Sequence, residues 1–115
     1  MPSDDLLARL NHLEYRVRKL AELANRAAHP FTFDMLEANL TEAQTKHLLD
    51  LMDETGRGIR ANLPITIEDF ENRVYEIVPE RREDYHFAEA VVSSLFESGQ
   101  YPDVYDYMKR NGMTI

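Results

Sequence analysis

The side chains best suited to bind a metal ion lie at helical spacing near the middle of the chain: His47, Asp50, Asp53 and Glu54. Intervals of three, four and seven residues bring such side chains to one side of a helix. A stable site needs further ligands from a second element, for which His86 and Glu89 are the candidates. Because nothing in the sequence brings the two helices together, we predict a solvated polar face and no bound metal.

Paired carboxylates offer a different chemistry, because helical Glu-x-x-Glu motifs bind magnesium in the all-α nucleotide pyrophosphatases. Glu68 and Glu71 match the first motif of those enzymes. The second motif is Glu-x-x-Asp, which Glu80 matches, whereas Glu83 stands where aspartate is expected. Pro79 also breaks the helix that would present the second pair. A metal-dependent hydrolase of this all-α carboxylate type therefore stays an alternative function.

Nucleophilic catalysis has no recognisable motif in this chain. Ser93 and Ser94 lie in an apolar helical segment without a nucleophile elbow, and the sequence contains no cysteine. His29, directly before Pro30, is expected at a helix end, where an imidazolium favours the helix dipole. We predict no catalytic residue and no bound cofactor.

Three tyrosines near the C-terminus carry large amphipathic side chains that suit a contact surface. Tyr101 and Tyr105 share one helical face, so we expect both of them in the core. Tyr107 is then the one tyrosine of this group that we expect to be exposed.

The elements that must position these residues begin with a long N-terminal helix, predicted over residues 4–28. Ser3 is its expected N-cap, Asp4 and Asp5 occupy the first turn, and Pro30 ends it. Along this helix, apolar residues alternate at intervals of four and three, which is the a/d pattern of a coiled-coil seam. The predicted seam residues are Leu6, Leu10, Leu13, Val17, Leu20, Ala24 and Ala27.

So narrow an apolar stripe needs a partner helix. Arg9 at a g position and Glu14 at an e position, five residues later, would attract each other across the seam of a parallel dimer. Leu7 and Leu23 broaden the stripe, so packing against the chain's own helices is the alternative. We predict a homo-oligomer formed through residues 6–27.

The rest of the chain, residues 29–115, is predicted to form a helical body. We interpret the short apolar patch after the proline as a packed connector: Phe31, Phe33, Met35 and Leu36. Thr41 and Gln44 form a capping-box pattern before a helix predicted over 42–55. The glycine-rich residues 56–64 predict an exposed, flexible loop.

Three further helices are predicted after this loop. Thr66 is the expected N-cap of the first, which a proline stops. The charged run 80–84 is interpreted as a solvated connector to the next helix, which ends at Gly99. Pro102 begins the last helix and Gly112 closes it. Because no alternating apolar run predicts a strand, the fold class is all-α, a small multihelical domain with a long N-terminal helix.

The chain has 115 residues, enough for one domain, and its net charge of −8 is unevenly distributed. Residues 1–28 carry five basic and four acidic side chains, whereas residues 29–115 carry eight and seventeen. An acidic body repels phosphate backbones, so we expect no direct nucleic-acid binding. An acidic inhibitor of a basic nucleic-acid-binding protein stays an alternative. With no cysteine, signal sequence or membrane span in evidence, the expected location is cytoplasmic.

Four short segments occur in a recognisable order: Leu13-Glu14-Tyr15, Pro30-Phe31, Thr66-Ile67-Glu68-Asp69-Phe70 and Leu95-Phe96-Glu97-Ser98-Gly99-Gln100-Tyr101. This order resembles the YhaI-like proteins of Bacillus and relatives, from about Leu10 to Met108. The resemblance implies a multihelical subunit that oligomerises and has no assigned activity. With the seam, it leads us to expect a scaffold or regulator that acts through protein contacts. Its expected partners are a second copy and an unidentified protein.

Overall fold

The computed structural model describes residues 3–23 and 27–115, and this part of the chain contains helices and no strand. The predicted all-α fold class is confirmed. Among the described residues there are six α-helices, with a short 3₁₀ helix, Pro79–Arg81, between the fourth and the fifth. The α-helices are α1 (Ser3–Leu23), α2 (Pro30–Glu37), α3 (Glu42–Arg60), α4 (Ile67–Ile77), α5 (Phe87–Glu97) and α6 (Pro102–Arg110).

The N-terminal helix is shorter than the predicted range 4–28. It begins at Ser3 itself, so the predicted N-cap is already helical, and Ala27 lies in a turn. Ala28 lies in the same turn, and His29, the residue before Pro30, has φ −139° and ψ 63°, a non-helical backbone of the kind that proline imposes on the residue before it. Ala27 therefore does not continue the seam, and Ala24 lies outside the described residues.

The interpretation of the apolar patch as a connector is wrong, because it forms α2. Pro30 occupies the first turn, where its missing N–H has no intrahelical partner to lose. Phe31 and Met35, four residues apart, are buried, whereas Leu36 is 51% exposed. The backbone N–H of Phe31 donates to Ser98 Oγ at 3.3 Å. Ser98 thus satisfies an N-terminal amide that the helix's own N-cap residue leaves open.

The start of α3 is as predicted, but its end is not. Thr41 Oγ1 accepts from the Gln44 N–H at 3.1 Å and Gln44 Oε1 accepts from the Thr41 N–H at 3.0 Å, so the capping box is confirmed. The helix continues to Arg60, and the first part of the predicted loop 56–64 is therefore helical. The chain leaves α3 through Asn62, which has φ 59°, a conformation that asparagine tolerates.

Two glycines lie inside α3, and at one of them, Gly58, the segment after the helix approaches too closely for a side chain. Gly56 and Gly58 are both buried. A Cβ on Gly58 would lie 2.6 Å from Ile65 Cδ1, and one on Gly56 would lie 3.7 Å from Val104 Cγ2. At Gly58, packing against the segment that follows the helix thus outweighs the weak helix propensity of glycine, about 1 kcal/mol relative to alanine.

The helices of the C-terminal half begin and end as predicted. Thr66 Oγ1 accepts from the Asp69 N–H at 3.1 Å, which confirms the predicted N-cap of α4. That helix ends just before Pro79. Both α5 and α6 are followed by a glycine at positive φ, Gly99 at 79° and Gly112 at 106°. Glycine suits these positions because it adopts the left-handed region without a Cβ clash.

The charged run 80–84 connects two helices, as predicted, but two of its side chains also contact other elements. Arg81 is half-buried, and its Nη2 donates to the Ala38 carbonyl at 2.9 Å. Glu80 Oε1 accepts from Gln44 Nε2 at 2.7 Å, and this hydrogen bond lowers the pKa of Glu80. The 3₁₀ helix is therefore tied both to the end of α2 and to the first turn of α3.

The five helices from α2 through α6 share one apolar core. In it, α2 packs on α5, and α3 packs on both α4 and α6. The most deeply buried apolar side chains are Leu48, Met52, Val74, Val78, Val91, Val92, Leu95, Val104 and Met108. By contrast, every side chain of residues 4–20 on α1 is exposed. The body thus encloses its own core, and the described side chains of α1 take no part in it.

Candidate functional site

The candidate functional site is the apolar face of α1. Five of the predicted seam residues retain between 45 and 65% of their exposure in the single chain. They are Leu6, Leu10, Leu13, Val17 and Leu20, and we call them the α1 stripe. Single exposed apolar residues are common on proteins, but a contiguous row of them marks an interaction surface.

The charges beside the α1 stripe are arranged asymmetrically. On one flank, formed by the g and c heptad positions from residue 9 to 19, all four side chains are basic or histidine: Arg9, His12, Arg16 and Lys19. On the other flank, the e and b positions over the same span are Asn11, Glu14 and Arg18, which together carry no net charge. In a parallel pair of helices the g flank of one faces the e flank of the other. A second copy would therefore bring basic groups toward Glu14.

A groove of about 760 Å³ lies between α1 and α2 and opens along the α1 stripe. Its apolar lining comes from Leu13 and Val17 of the stripe and from Leu36 of α2. Its polar lining consists of Glu14, Arg18, Glu37 and Asn39. The exposed apolar surface therefore extends from α1 onto the body of the protein.

Leu36 is the residue of this surface that the sequence analysis missed. The signal was present, because the buried Phe31 and Met35 are spaced four residues apart, as on one face of a helix. In a helix each residue is turned by about 100° from the one before it. Leu36, next to Met35, is therefore turned away from the buried face and toward α1.

The predicted metal-binding side chains do lie on α3, but two of them have other partners. Asp53 Oδ1 accepts from the Tyr101 hydroxyl at 2.6 Å, and Glu54 Oε2 accepts from Arg73 Nη2 at 2.7 Å. The hydrogen bond from Arg73 lowers the pKa of Glu54. Burial, reinforced by Asp53, raises the pKa of Tyr101 to about 12. Both carboxylates thus act in contacts between helices.

The remaining members of the proposed metal set are not brought together. His47 and Asp50 are exposed on α3. His86 Nδ1 lies 3.1 Å from Glu89 Oε2, and this hydrogen bond raises the pKa of His86. Within residues 3–23 and 27–115, no three or more His, Asp or Glu side chains form a group that could hold a metal ion.

The paired carboxylates are presented by different elements. Glu68 and Glu71 lie on α4, Glu80 lies in the 3₁₀ helix, and Glu83 lies in the turn that follows it. Burial raises the pKa of Glu71, and the nearby Glu89 and Glu68 carboxylates add to the effect. The second carboxylate pair is therefore not presented by a continuous α-helix, as Pro79 between the two pairs led us to expect.

The two serines of α5 lie in a packed helix. Ser94 is buried and its Oγ donates to the Val91 carbonyl at 3.4 Å, while Ser93 is half-buried. The Ser94 carbonyl in turn accepts from Ser98 Oγ at 2.8 Å. These contacts stay within α5 and its C-terminal end, so Ser94 has a structural place in the helix.

The prediction for Tyr107 is wrong. Tyr101 and Tyr105 pack against the core as expected, but Tyr107 is half-buried too, and its hydroxyl donates to the Ile65 carbonyl at 2.6 Å. The segment before α4 covers the face of α6 that the helical pattern assigned to solvent. Tyr85, which is 79% exposed in the turn before α5, is far more accessible than these three.

His29 lies at a helix end, as expected, but at the start of α2 rather than at the end of α1. Its side chain makes no capping hydrogen bond. Among the described helices, none is both long and apolar enough to cross a membrane.

Comparison with protein-family models, with curated proteins and with solved structures found no match to this chain. The similarity to the YhaI-like proteins therefore stays a prediction. Among the surfaces of the described residues, the α1 stripe is the most distinctive.

Proposed function

We propose that this protein is a cytoplasmic scaffold or regulator that self-associates through the α1 stripe and acts through protein contacts. One observation carries the proposal: the leucines and the valine of the stripe share one helix face and stay exposed in the single chain. The body has a core of its own and does not use them. A second copy supplies a matching face, because its α1 has the same spacing.

The magnitudes favour pairing along the whole helix. Burying the exposed half of a leucine contributes about 1 kcal/mol, so five stripe residues from each of two chains contribute about 10 kcal/mol. Association itself costs on the order of 4–15 kcal/mol. Contact through one or two residues would be too weak to exceed that cost. The stripe therefore has to be buried almost completely, as it is in a coiled coil.

The flanking charges favour a parallel pair. In that orientation Arg9 of each chain faces Glu14 of the other, and two attractive pairs form. In an antiparallel pair the two g flanks face each other, which brings Arg9 close to Arg16. Like charges across the seam are unfavourable, so the parallel arrangement is the more stable of the two.

Light scattering at tens of micromolar protein tests the proposal. We expect a mass that is a multiple of the 13.4 kDa chain mass for the unaltered protein. We expect a single-chain mass for the combined variant Leu13→Asp and Leu20→Asp, because charges at d positions abolish apolar knob packing. Leu63→Asp is the matched control, since Leu63 is 57% exposed on the body after α3.

Two results would contradict self-association through α1. One is a single-chain mass for the unaltered protein. The other is an unchanged oligomer mass for the double variant whose far-ultraviolet circular dichroism still shows the folded body.

A further inference from the structure

We infer that the α1 helix of the second copy lies in the groove between α1 and α2, so that α2 forms part of the interface between copies. This inference rests on the proposed self-association and adds Leu36 and Glu37 to the contact. Its basis is that Leu36 lines the same groove as Leu13 and Val17 of the α1 stripe. A helix that covers these two stripe residues therefore meets α2 as well.

The groove has the size that one helix requires. A helix with its side chains is a cylinder about 10 Å wide that rises 5.4 Å per turn, and it fills about 420 Å³ per turn. The groove holds about 760 Å³, more than one such turn fills, and its lining on α1 runs from Leu13 to Arg18, about one and a half turns. A partner helix aligned in register would place its own Leu13 and Val17 there.

The polar lining of the groove complements the flank that this partner helix would present. Glu14, at an e position, shows that the groove lies on the e side of α1. In a parallel pair this side receives the g flank of the second copy, which includes Arg9 and Arg16. Glu37 of α2 lines the same groove and adds a second carboxylate. Arg18 is the one basic side chain among the described residues of the lining, so the basic flank of one copy meets two carboxylates and one guanidinium of the other.

Alternative occupants fit less well. An anionic membrane surface would attract the basic flank of α1, but it would be repelled by the excess of nine acidic groups in residues 29–115. A second copy matches both the apolar lining and the carboxylates. A second copy of this chain is therefore the occupant of the groove.

Sedimentation velocity over a series of protein dilutions measures the dissociation constant of the oligomer. Comparing this constant between the unaltered protein and variants of α2 tests whether α2 lies in the interface. We expect Leu36→Glu and, separately, Glu37→Arg to raise this constant at least tenfold, because each places an unfavourable group in the groove. We expect Arg16→Glu to do the same. Combining Arg16→Glu with Glu37→Arg in one chain should restore association, since the reversed charges attract again.

Matched controls are Leu63→Glu and Glu83→Arg, which change exposed body residues outside this groove. Both should leave the dissociation constant within twofold of the unaltered protein. Vesicles containing anionic lipid, added to each sample, should bind no protein, and binding that competes with self-association would overturn the choice of occupant.

The inference and the proposed function fail in different ways. If the unaltered protein has a single-chain mass, the proposed function fails and the inference with it. If Leu13→Asp with Leu20→Asp dissociates the oligomer but Leu36→Glu and Glu37→Arg leave it within twofold of the unaltered protein, only the inference is overturned. If Leu36→Glu unfolds the body, the combined variant Arg16→Glu with Glu37→Arg is the deciding test. Failure of this combined variant to restore association would contradict the placement of the partner helix in the groove.

Discussion

Leu13 on α1 and Leu48 on α3 are the same residue type on helices of similar length, yet their surroundings differ completely. Leu13 is 56% exposed, whereas Leu48 is fully buried among the side chains of the body. The helices α2 to α6 surround one another and so bury their own apolar faces. The single chain offers no such cover to the α1 stripe. The comparison teaches that folding uses Leu48 and leaves the α1 stripe available for the association that we propose.

The largest expected effect separates these two leucines. Leu48→Ala should lower the free energy of unfolding by about 2–5 kcal/mol, because it leaves a cavity in a packed core. Leu13→Ala should change the unfolding of dilute protein by about 0.5 kcal/mol or less, as exposed substitutions do, while weakening self-association. Urea denaturation at low protein concentration measures both. Equal losses for the two variants would show that α1 packs on its own body.

The turn after α5 is the next test, because it belongs to the body alone. Gly99 has φ 79°, and a Cβ there would meet no atom within 4 Å. Gly99→Ala should therefore cost about 1–2 kcal/mol through backbone strain only. Asn62→Gly, at φ 59°, should stabilise the body, since it removes the same kind of strain. The unfolding midpoint should therefore fall for Gly99→Ala and rise for Asn62→Gly.

The N-cap of α4 gives a smaller effect. Thr66→Ala should cost about 1 kcal/mol, because the Asp69 N–H loses its acceptor. Thr66→Ser keeps the hydroxyl and should retain most of the stability. An unchanged denaturation midpoint in Thr66→Ala would mean that this capping bond contributes nothing.

The smallest effect concerns pH and Glu71. Burial raises its pKa above 4.5, so the folded protein binds the proton more tightly than the unfolded chain. Its contribution to stability is complete below pH 4.5 and is lost as the pH rises through the folded-state pKa. Glu71→Gln should therefore stabilise the body at pH 7 and have little effect at pH 3.5.

Denaturant midpoints at the two pH values measure this difference. Glu76→Gln, an exposed change on the same helix, serves as the control and should not stabilise the protein at pH 7, because Glu76 lies near Arg73. A Glu71→Gln protein that is less stable at pH 7 than the unaltered one would contradict the burial argument.

Sequence predicted the features whose causes are local. Thr41 and Thr66 begin helices because their hydroxyls accept from amides three residues later, and that relation is readable from four consecutive residues. Gly99 and Gly112 end helices because of their own backbone freedom. The order of the helices of the body follows from such signals, with α2 as the exception.

The features that sequence analysis mispredicted depend on packing between elements and not on signals within one element. Gly58 looked like part of a loop, but its missing side chain makes room for Ile65. Tyr107 looked exposed because its partner, the Ile65 carbonyl, lies forty-two positions away. Leu36 was assigned to a packed connector, since the turn that brings α2 beside α1 has no local signature. Such placements depend on tertiary packing, which no short window of sequence contains.

The central claim is that a second copy pairs with α1 in parallel, and cysteine cross-linking tests it most directly because the chain has no cysteine of its own. In a parallel pair, Leu6 of one copy lies beside Leu6 of the other, so Leu6→Cys should form a covalent dimer under mild oxidation. Ala8→Cys, on the opposite face, should stay monomeric on a denaturing gel. The contradicting result is cross-linking of Leu6→Cys only when it is mixed with Leu20→Cys, which indicates an antiparallel pair, or no cross-linking at all.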